Sequence, residues 1–166
     1  MFKYLPVCFL IGIVLLPQTL SAKEMVGWVE NARLYPGGLL IKAKIDSGAT
    51  SSSINCNCVT PIKRDGEKWV RFSVMSTTGE LKWYERKILH TVKIKRHFGE
   101  SQQRFVVKMG ICLGDVFKET EINLVDRTGL NYPLLIGRRF LEGTHTIDPG
   151  RTFMNKPRCK RAIINE

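Results

Sequence analysis

In Lys42-Ala43-Lys44-Ile45-Asp46-Ser47-Gly48-Ala49-Thr50-Ser51, a short apolar strand runs into a carboxylate, then a hydroxyl, a glycine and a small residue. Such a turn can present Asp46 into a cleft. The Ser47 hydroxyl can hydrogen-bond across to brace the turn. Gly48, which has no Cβ, lets two loops of this kind pack backbone to backbone. Taken alone, a strand followed by Asp-Ser-Gly is also an ordinary β-turn. The surroundings have to decide between a catalytic turn and a plain one.

Outward toward the N-terminus, Lys3 precedes a nearly continuous apolar run from Val7 to Leu16, and Leu20-Ser21-Ala22 has the small residues of a cleavage site. That order predicts a signal peptide over residues 1–22 and a single domain over 23–166. The run is short for a membrane span, which needs about 20 residues; an uncleaved anchor is the alternative. Cys8 lies in the run without a lipoprotein context. Export to the periplasm or the medium is the expectation.

The chain carries a formal net charge of +11, and only Lys3 among its cations leaves with the leader. Lys42, Lys44, Lys63, Arg64, Lys87, Lys93, Lys95, Arg96, Arg138, Arg139 and the Lys156–Arg161 tail spread the charge without an aromatic-interleaved recognition motif, so nucleic acid is not the expected partner. Acidic peptides, anionic polymers or a peripheral membrane contact fit an exported basic protein better, beside a merely solvated surface. Cys56, Cys58, Cys112 and Cys159 remain after the leader. An even count in an oxidising compartment predicts disulfides, with Cys56 or Cys58 reaching Cys112 or Cys159, because a Cys-x-Cys pair closes on itself with difficulty. A zinc cluster competes but lacks paired CxxC hooks.

The rest of the chain reads as short strands. Val26–Ala32 ends at Pro36-Gly37-Gly38; Leu39–Ile45 delivers Asp46; Ser53-Ile54 leads away. Arg64-Asp65-Gly66 turns into Trp69–Val74, Thr77–Glu80 turns into Leu81–Tyr84, and Lys87–Lys95, Arg104–Met109 and Glu119–Val125 follow. The single expected helix is short, Arg138–Glu142. This series predicts an all-β barrel or sandwich.

A second motif, Pro133-Leu134-Leu135-Ile136-Gly137-Arg138, then selects among β folds. An apolar strand ending in glycine before a short helix is what a pepsin-like half places beneath its catalytic loop, with Gly137 allowing the close approach. With Gly27-Trp28, the Asp46 stretch, Trp69-Val70-Arg71-Phe72, Arg104-Phe105-Val106-Val107, Asp126-Arg127, Leu135–Leu141 and Asp148-Pro149-Gly150-Arg151, the chain resembles the bacterial retropepsin-like domains that carry the label ATP-dependent zinc protease and often occur beside ATP-grasp ligases. The resemblance covers nearly the whole chain after the leader. It implies a closed pepsin-half barrel with one short C-terminal helix. Two departures stand out: Thr50 occupies a place where relatives usually carry a basic residue, and Cys56-Asn57-Cys58 is peculiar to this branch of the family.

The zinc and ATP of that label find no support in the residues. There is no His-Glu-x-x-His pair, and His90, His97 and His145 are scattered; there is no Gly-rich Lys-Ser/Thr loop. No metal or cofactor is expected. Aspartic proteolysis needs two carboxylates and an activated water, yet Asp126-Arg127-Thr128-Gly129 has the wrong spacing and Asp148-Pro149-Gly150 lacks the hydroxyl. A homodimer that contributes Asp46 twice resolves the shortage. Asp46 is then the catalytic residue, with Ser47, Gly48, Ala49, Gly137 and Arg138 supporting its loop and Lys68–Arg86 covering it as a flap. Peptides or proteins, acidic ones among them, are the expected substrates. The alternative is a non-catalytic envelope domain that binds peptides on the same fold.

Overall fold

The computed structural model describes residues 22–94 and 101–159, so the expected leader lies outside the described residues apart from Ala22. Ten strands and one helix follow in order: β1 (Glu24–Tyr35), β2 (Leu39–Ile45), β3 (Ser52–Asn55), β4 (Asn57–Arg64), β5 (Glu67–Met75), β6 (Leu81–Ile94), β7 (Gln102–Leu113), β8 (Val116–Val125), β9 (Leu134–Ile136), α1 (Arg138–Leu141) and β10 (His145–Thr152).

Pairing runs β1-β2-β9-β3-β8-β7, and β7 then returns to β1, which closes a six-stranded barrel. The expected all-β, retropepsin-like barrel with a single short helix is what the chain forms. Alternation explains the interior. Ile41, Ala43 and Ile45 on β2, Leu134 and Ile136 on β9, and Ile122 and Leu124 on β8 point inward and are buried. Each buried Ile or Leu among them contributes about 1.5–3 kcal/mol. β2 and β3 flank the Asp46 turn but do not pair with each other; β9 lies between them, parallel to β2 and antiparallel to β3. A strand walled in on both edges has to be apolar, which is why Leu134-Leu135-Ile136 reads as it does.

Two elements were not expected. β10 runs parallel to the first half of β1, and β4 pairs with β5. The stretches Leu81–Tyr84 and Lys87–Lys95, read as two strands, belong to one strand, β6. Its first half pairs with β5 and its second with β7, with an irregularity between Ile88 and His90. β4, β5 and the start of β6 thus form a wing outside the barrel closure. Val70, Phe72, Val74 and Tyr84 on its inner face join the barrel core.

The cysteine expectation is corrected. Cys112 bonds Cys159, and Cys56 is a free, buried thiol whose sulfur lies 4.0 Å from the Val125 carbonyl. The reason lies past β10. Residues 153–159 fold back as a strap across β1: Phe153 N–H donates to the Val29 carbonyl and Arg158 N–H to that of Gly114. This brings Cys159 to the far end of β7, while Cys56 sits at the end of β3 within the main core. The Glu30 carboxylate, fully buried, holds the strap by accepting from Met154 and Asn155 N–H, and it also accepts from Gly27 N–H.

Candidate active site

Asp46 stands at the end of β2, where its own N–H still donates to the Ile136 carbonyl at 2.9 Å. The chain then turns back on the carboxylate. Oδ1 accepts from Gly48 N–H at 2.9 Å and Ala49 N–H at 3.2 Å. Two donors on one oxygen fix the side chain's torsion and leave Oδ2 to Lys44, 3.6 Å from its Nζ. The side chain is 24% exposed, so water can reach it.

Gly137 lies against the residues of this turn. A Cβ on it would stand 2.7 Å from the carbonyl carbon and oxygen of Ser51 and 2.9 Å from the Ala49 oxygen, so only glycine fits. Past it, Arg138 and Arg139 N–H donate to the Ala49 and Thr50 carbonyls, at 2.8 and 3.1 Å. The Gly137 N–H donates to the buried Ser52 hydroxyl. Arg138 then wraps the crest from outside: Nη1 donates to the Ser47 and Gly48 carbonyls at 2.8 and 3.0 Å, and Nη2 to the Thr50 hydroxyl at 2.9 Å. Within one chain the brace is therefore Arg138. Ser47 and Gly48 are exposed at the crest.

The expected flap is corrected as well. The turn between β5 and β6 is pinned at the start of β2, where Thr77 N–H donates to the Leu40 carbonyl at 3.0 Å. That is the opposite end of β2 from Asp46. The hairpin bordering the site is β6–β7. A row of neighbours crosses the outer face from the base of the turn: Lys44, Leu135, Ser53, Asn123, Val106 and His90. From there β6 and β7 continue as a hairpin, with Ile94 opposite Gln102. Its connection, with His97, lies outside the described residues.

Arg127 is a site residue the sequence reading quoted without a role. Its guanidinium donates to the Ser53 hydroxyl at 3.1 Å and the Tyr132 carbonyl at 3.1 Å, and its N–H donates to Asn55. Burial, then the like charge of Arg104, lower its pKa, and the Asp46 carboxylate acts the other way. With Lys44 it places two cations near Asp46. A lone basic residue after a strand carries no signal of this; the signal is its place opposite β3 once the barrel closes. His90 is exposed on β6, and His145 is buried against α1, lining the same cavity as Ser47 and Arg138.

The sequence profile of the RimB-like family, retropepsin-like aspartic endopeptidase RimB, matches residues 25–158. The chain belongs to this family. A solved structure from Legionella pneumophila, Lpg0085, a protein of unknown function (DUF785), superposes with a TM-score of 0.70 at 34% identity, covering 81% of this chain and 100% of that one. Proteins named probable alpha-L-glutamate ligase are also similar. One from Shewanella pealeana is 36% identical over 116 residues, 68% of this chain and 25% of the relative. One from Parasynechococcus marenigrum is 29% identical over 134 residues, 78% of this chain and 29% of the relative. The chain thus spans about a quarter of the length of the curated relatives it matches.

Proposed function

We propose that this retropepsin-like domain is an exported aspartic endopeptidase that works as a homodimer, with Asp46 from each copy. The observation that carries the reading is the Asp46 carboxylate itself: oriented by two backbone N–H groups, open to water, and set on a turn that β9, Gly137 and Arg138 support from below and outside. Two such carboxylates facing across a two-fold axis hold one proton between them. The ionised one takes a proton from the water between them as that water attacks the peptide carbonyl. The protonated one donates to the carbonyl oxygen. Collapse of the tetrahedral intermediate then breaks the C–N bond as the amine is protonated.

A two-fold contact through the turn is supported by what surrounds it. Gly48 is exposed at the crest, and β1 and the strap carry Met25, Trp28 and Phe153, each well exposed, along the strand next to β2. Acidic peptides are the proposed substrates. Lys44 and Arg127 both interact electrostatically with Asp46, and the relatives named for glutamate ligation contain a domain of this kind.

One observation favours the other reading, a peptide-binding envelope domain without turnover. In a single chain Asp46 is paired with Lys44, and a lone carboxylate cannot both activate water and donate a proton. Cleavage of a Glu-rich peptide library, followed against protein concentration, decides between them. A dimeric protease is expected to gain specific activity with concentration and to keep it in chelator. Binding without cleavage at every concentration and pH supports the envelope domain. Loss on chelation that zinc restores would refute the aspartic chemistry.

A further inference from the structure

The wing has one face on the barrel core and one face without a partner among the described residues. On β5 and β6 the odd-numbered residues share the outer face, because Trp69 stands opposite Lys87, Arg71 opposite Glu85, Ser73 opposite Trp83 and Met75 opposite Leu81. Toward the turn at 76–80 this face is apolar: Met75 is 45% exposed, Leu81 46% and Trp83 46%. The Arg71 guanidinium lies over the Trp83 ring, 4.9 Å from its centroid. Both carboxylates on the face are occupied, Glu67 by Lys87 at 3.0 Å and Glu85 by Arg64 at 2.9 Å. The wing as a whole is cationic: residues 57–87 hold seven Lys or Arg against four Asp or Glu, and the outer face holds three, Arg64, Arg71 and Lys87, against Glu67 and Glu85.

We infer that this outer face is a peripheral docking surface for an anionic lipid bilayer, with Trp83, Leu81 and Met75 entering the headgroup region and Arg71, beside the paired Arg64 and Lys87, facing lipid phosphates. Two observations choose this occupant over a protein. The three side chains expose on the order of 300 Å² together, below the roughly 450 Å² of non-polar area within the roughly 800 Å² that each partner gives a standard protein interface. The wing's free edge, β4, carries Pro61, which removes an N–H from the ladder, and a cross-strand pair of like charges, Lys63 opposite Lys68. Both discourage another strand from adding there. A bilayer needs neither a large patch nor an open edge. A few interfacial apolar residues and a Coulomb attraction of about 1 kcal/mol per basic residue act together on it.

The position is compatible with a working cleft. The patch adjoins the turn that docks on Leu40, at the start of β2, whereas Asp46 is at that strand's end. A protein held by the wing keeps its catalytic turn off the surface. The inference is independent of whether Asp46 performs catalysis.

The chain from Lys23 onward contains every strand of the barrel and is the material for the test. It is expected to co-sediment with vesicles of phosphatidylglycerol and phosphatidylcholine, and not with pure phosphatidylcholine, with tryptophan emission moving to shorter wavelength on binding. The triple variant Met75→Ser, Leu81→Ser, Trp83→Ser is expected to bind about tenfold or more weakly, with any peptide cleavage unchanged. Should the triple variant fold poorly, Arg71→Glu alone is expected to weaken binding to the anionic vesicles by several-fold. Equal binding to neutral vesicles, no binding to either, or undiminished binding by a folded triple variant or by Arg71→Glu overturns the inference. So does a wild-type dimer in solution that the triple substitution dissociates, because the face would then belong to a second copy.

Discussion

The Asp46 turn and the C-terminal strap are both short irregular segments, and they are held by opposite means. The turn is gripped by backbone: β9 and the start of α1 donate to it or accept from it, and Arg138 closes it from the solvent side. The strap has backbone bonds too, at Phe153 and Arg158, but its further fastenings are hidden side chains, the buried Glu30 carboxylate and the Cys112–Cys159 bridge. A segment that must keep a carboxylate reachable cannot bury its fastenings. A segment that only straps β1 from outside can. Damage to the first is therefore expected to appear in chemistry, and damage to the second in stability.

The sharpest test of that contrast is Asp46→Asn. The amide oxygen can still accept from Gly48 and Ala49 N–H, so the turn keeps its shape and stability is expected to change by less than about 1 kcal/mol. Peptide cleavage is expected to fall on the order of a thousandfold or more. Parallel melting curves and single-turnover assays check both halves. Full activity in the variant removes Asp46 from the chemistry.

Breaking the strap reverses the pattern. Cys112→Ala with Cys159→Ala opens a bridge spanning 47 residues, and the chain-entropy view gives a loss of about 2–4 kcal/mol. Activity per folded molecule is expected to be preserved. Native alkylation sharpens the point, because burial raises the Cys56 thiol to about 11 and keeps it protonated. It is expected to stay unlabelled until the protein unfolds, in the variant as in the parent.

Legibility in the sequence follows the same division. Leu39–Ile45 with Asp46, and Leu134–Ile136 with Gly137, could be read because each motif is contiguous and its chemistry is local. β10 was missed because Asp148-Pro149-Gly150 looks like a turn; it pairs only by lying parallel to β1, and no local pattern encodes that partner. The disulfide was misassigned for a related reason. Which cysteines meet depends on the strap's path over β1, and that path is set by Glu30, a charged residue whose burial no strand pattern announces. Arg127 likewise gains its place beside Asp46 only from barrel closure.

Gly137→Ala tests the support beneath the turn. The added methyl meets the Ser51 carbonyl at 2.7 Å, and backbone cannot step aside as a flexible side chain would. A loss of about 1–3 kcal/mol is expected from the overpacking. Cleavage is expected to suffer beyond that, because the displaced residues are the ones that aim the carboxylate. Arg138→Lys is expected to be milder in stability yet still lower activity, since a single ammonium cannot replace a fork that reaches Ser47, Gly48 and Thr50 at once. A Gly137→Ala variant with parental activity would mean that the turn is shaped without β9.

The smallest expected effect belongs to His145, which joins the two regions by stacking on Phe140 of α1 while sitting on β10. Its side chain is fully buried; Nδ1 meets the Thr144 hydroxyl at 2.9 Å, and Nε2 faces Glu24 at 3.8 Å without a hydrogen bond. Burial, aided by the Lys118 charge, lowers its pKa below the usual value, against a backbone contact from Leu113 that raises it. In the unfolded chain the ring takes up a proton near pH 6.5 or so, and in the folded protein only at lower pH. Between those points the unfolded state binds more protons, so stability rises with pH, is complete above the unfolded value and is lost as the solution becomes more acidic. Glu24, whose pKa is raised chiefly by burial, works in the opposite direction nearer the carboxylate range. The measurement therefore belongs between about pH 6 and 7.5. The melting temperature of the parent is expected to fall on acidification across that interval, and that of His145→Gln to fall less. Comparing slopes, not absolute values, removes the cost of losing the stack on Phe140. Equal slopes would mean that the imidazole reaches solvent and titrates alike in both states, and that β10 opens at its start without unfolding the barrel.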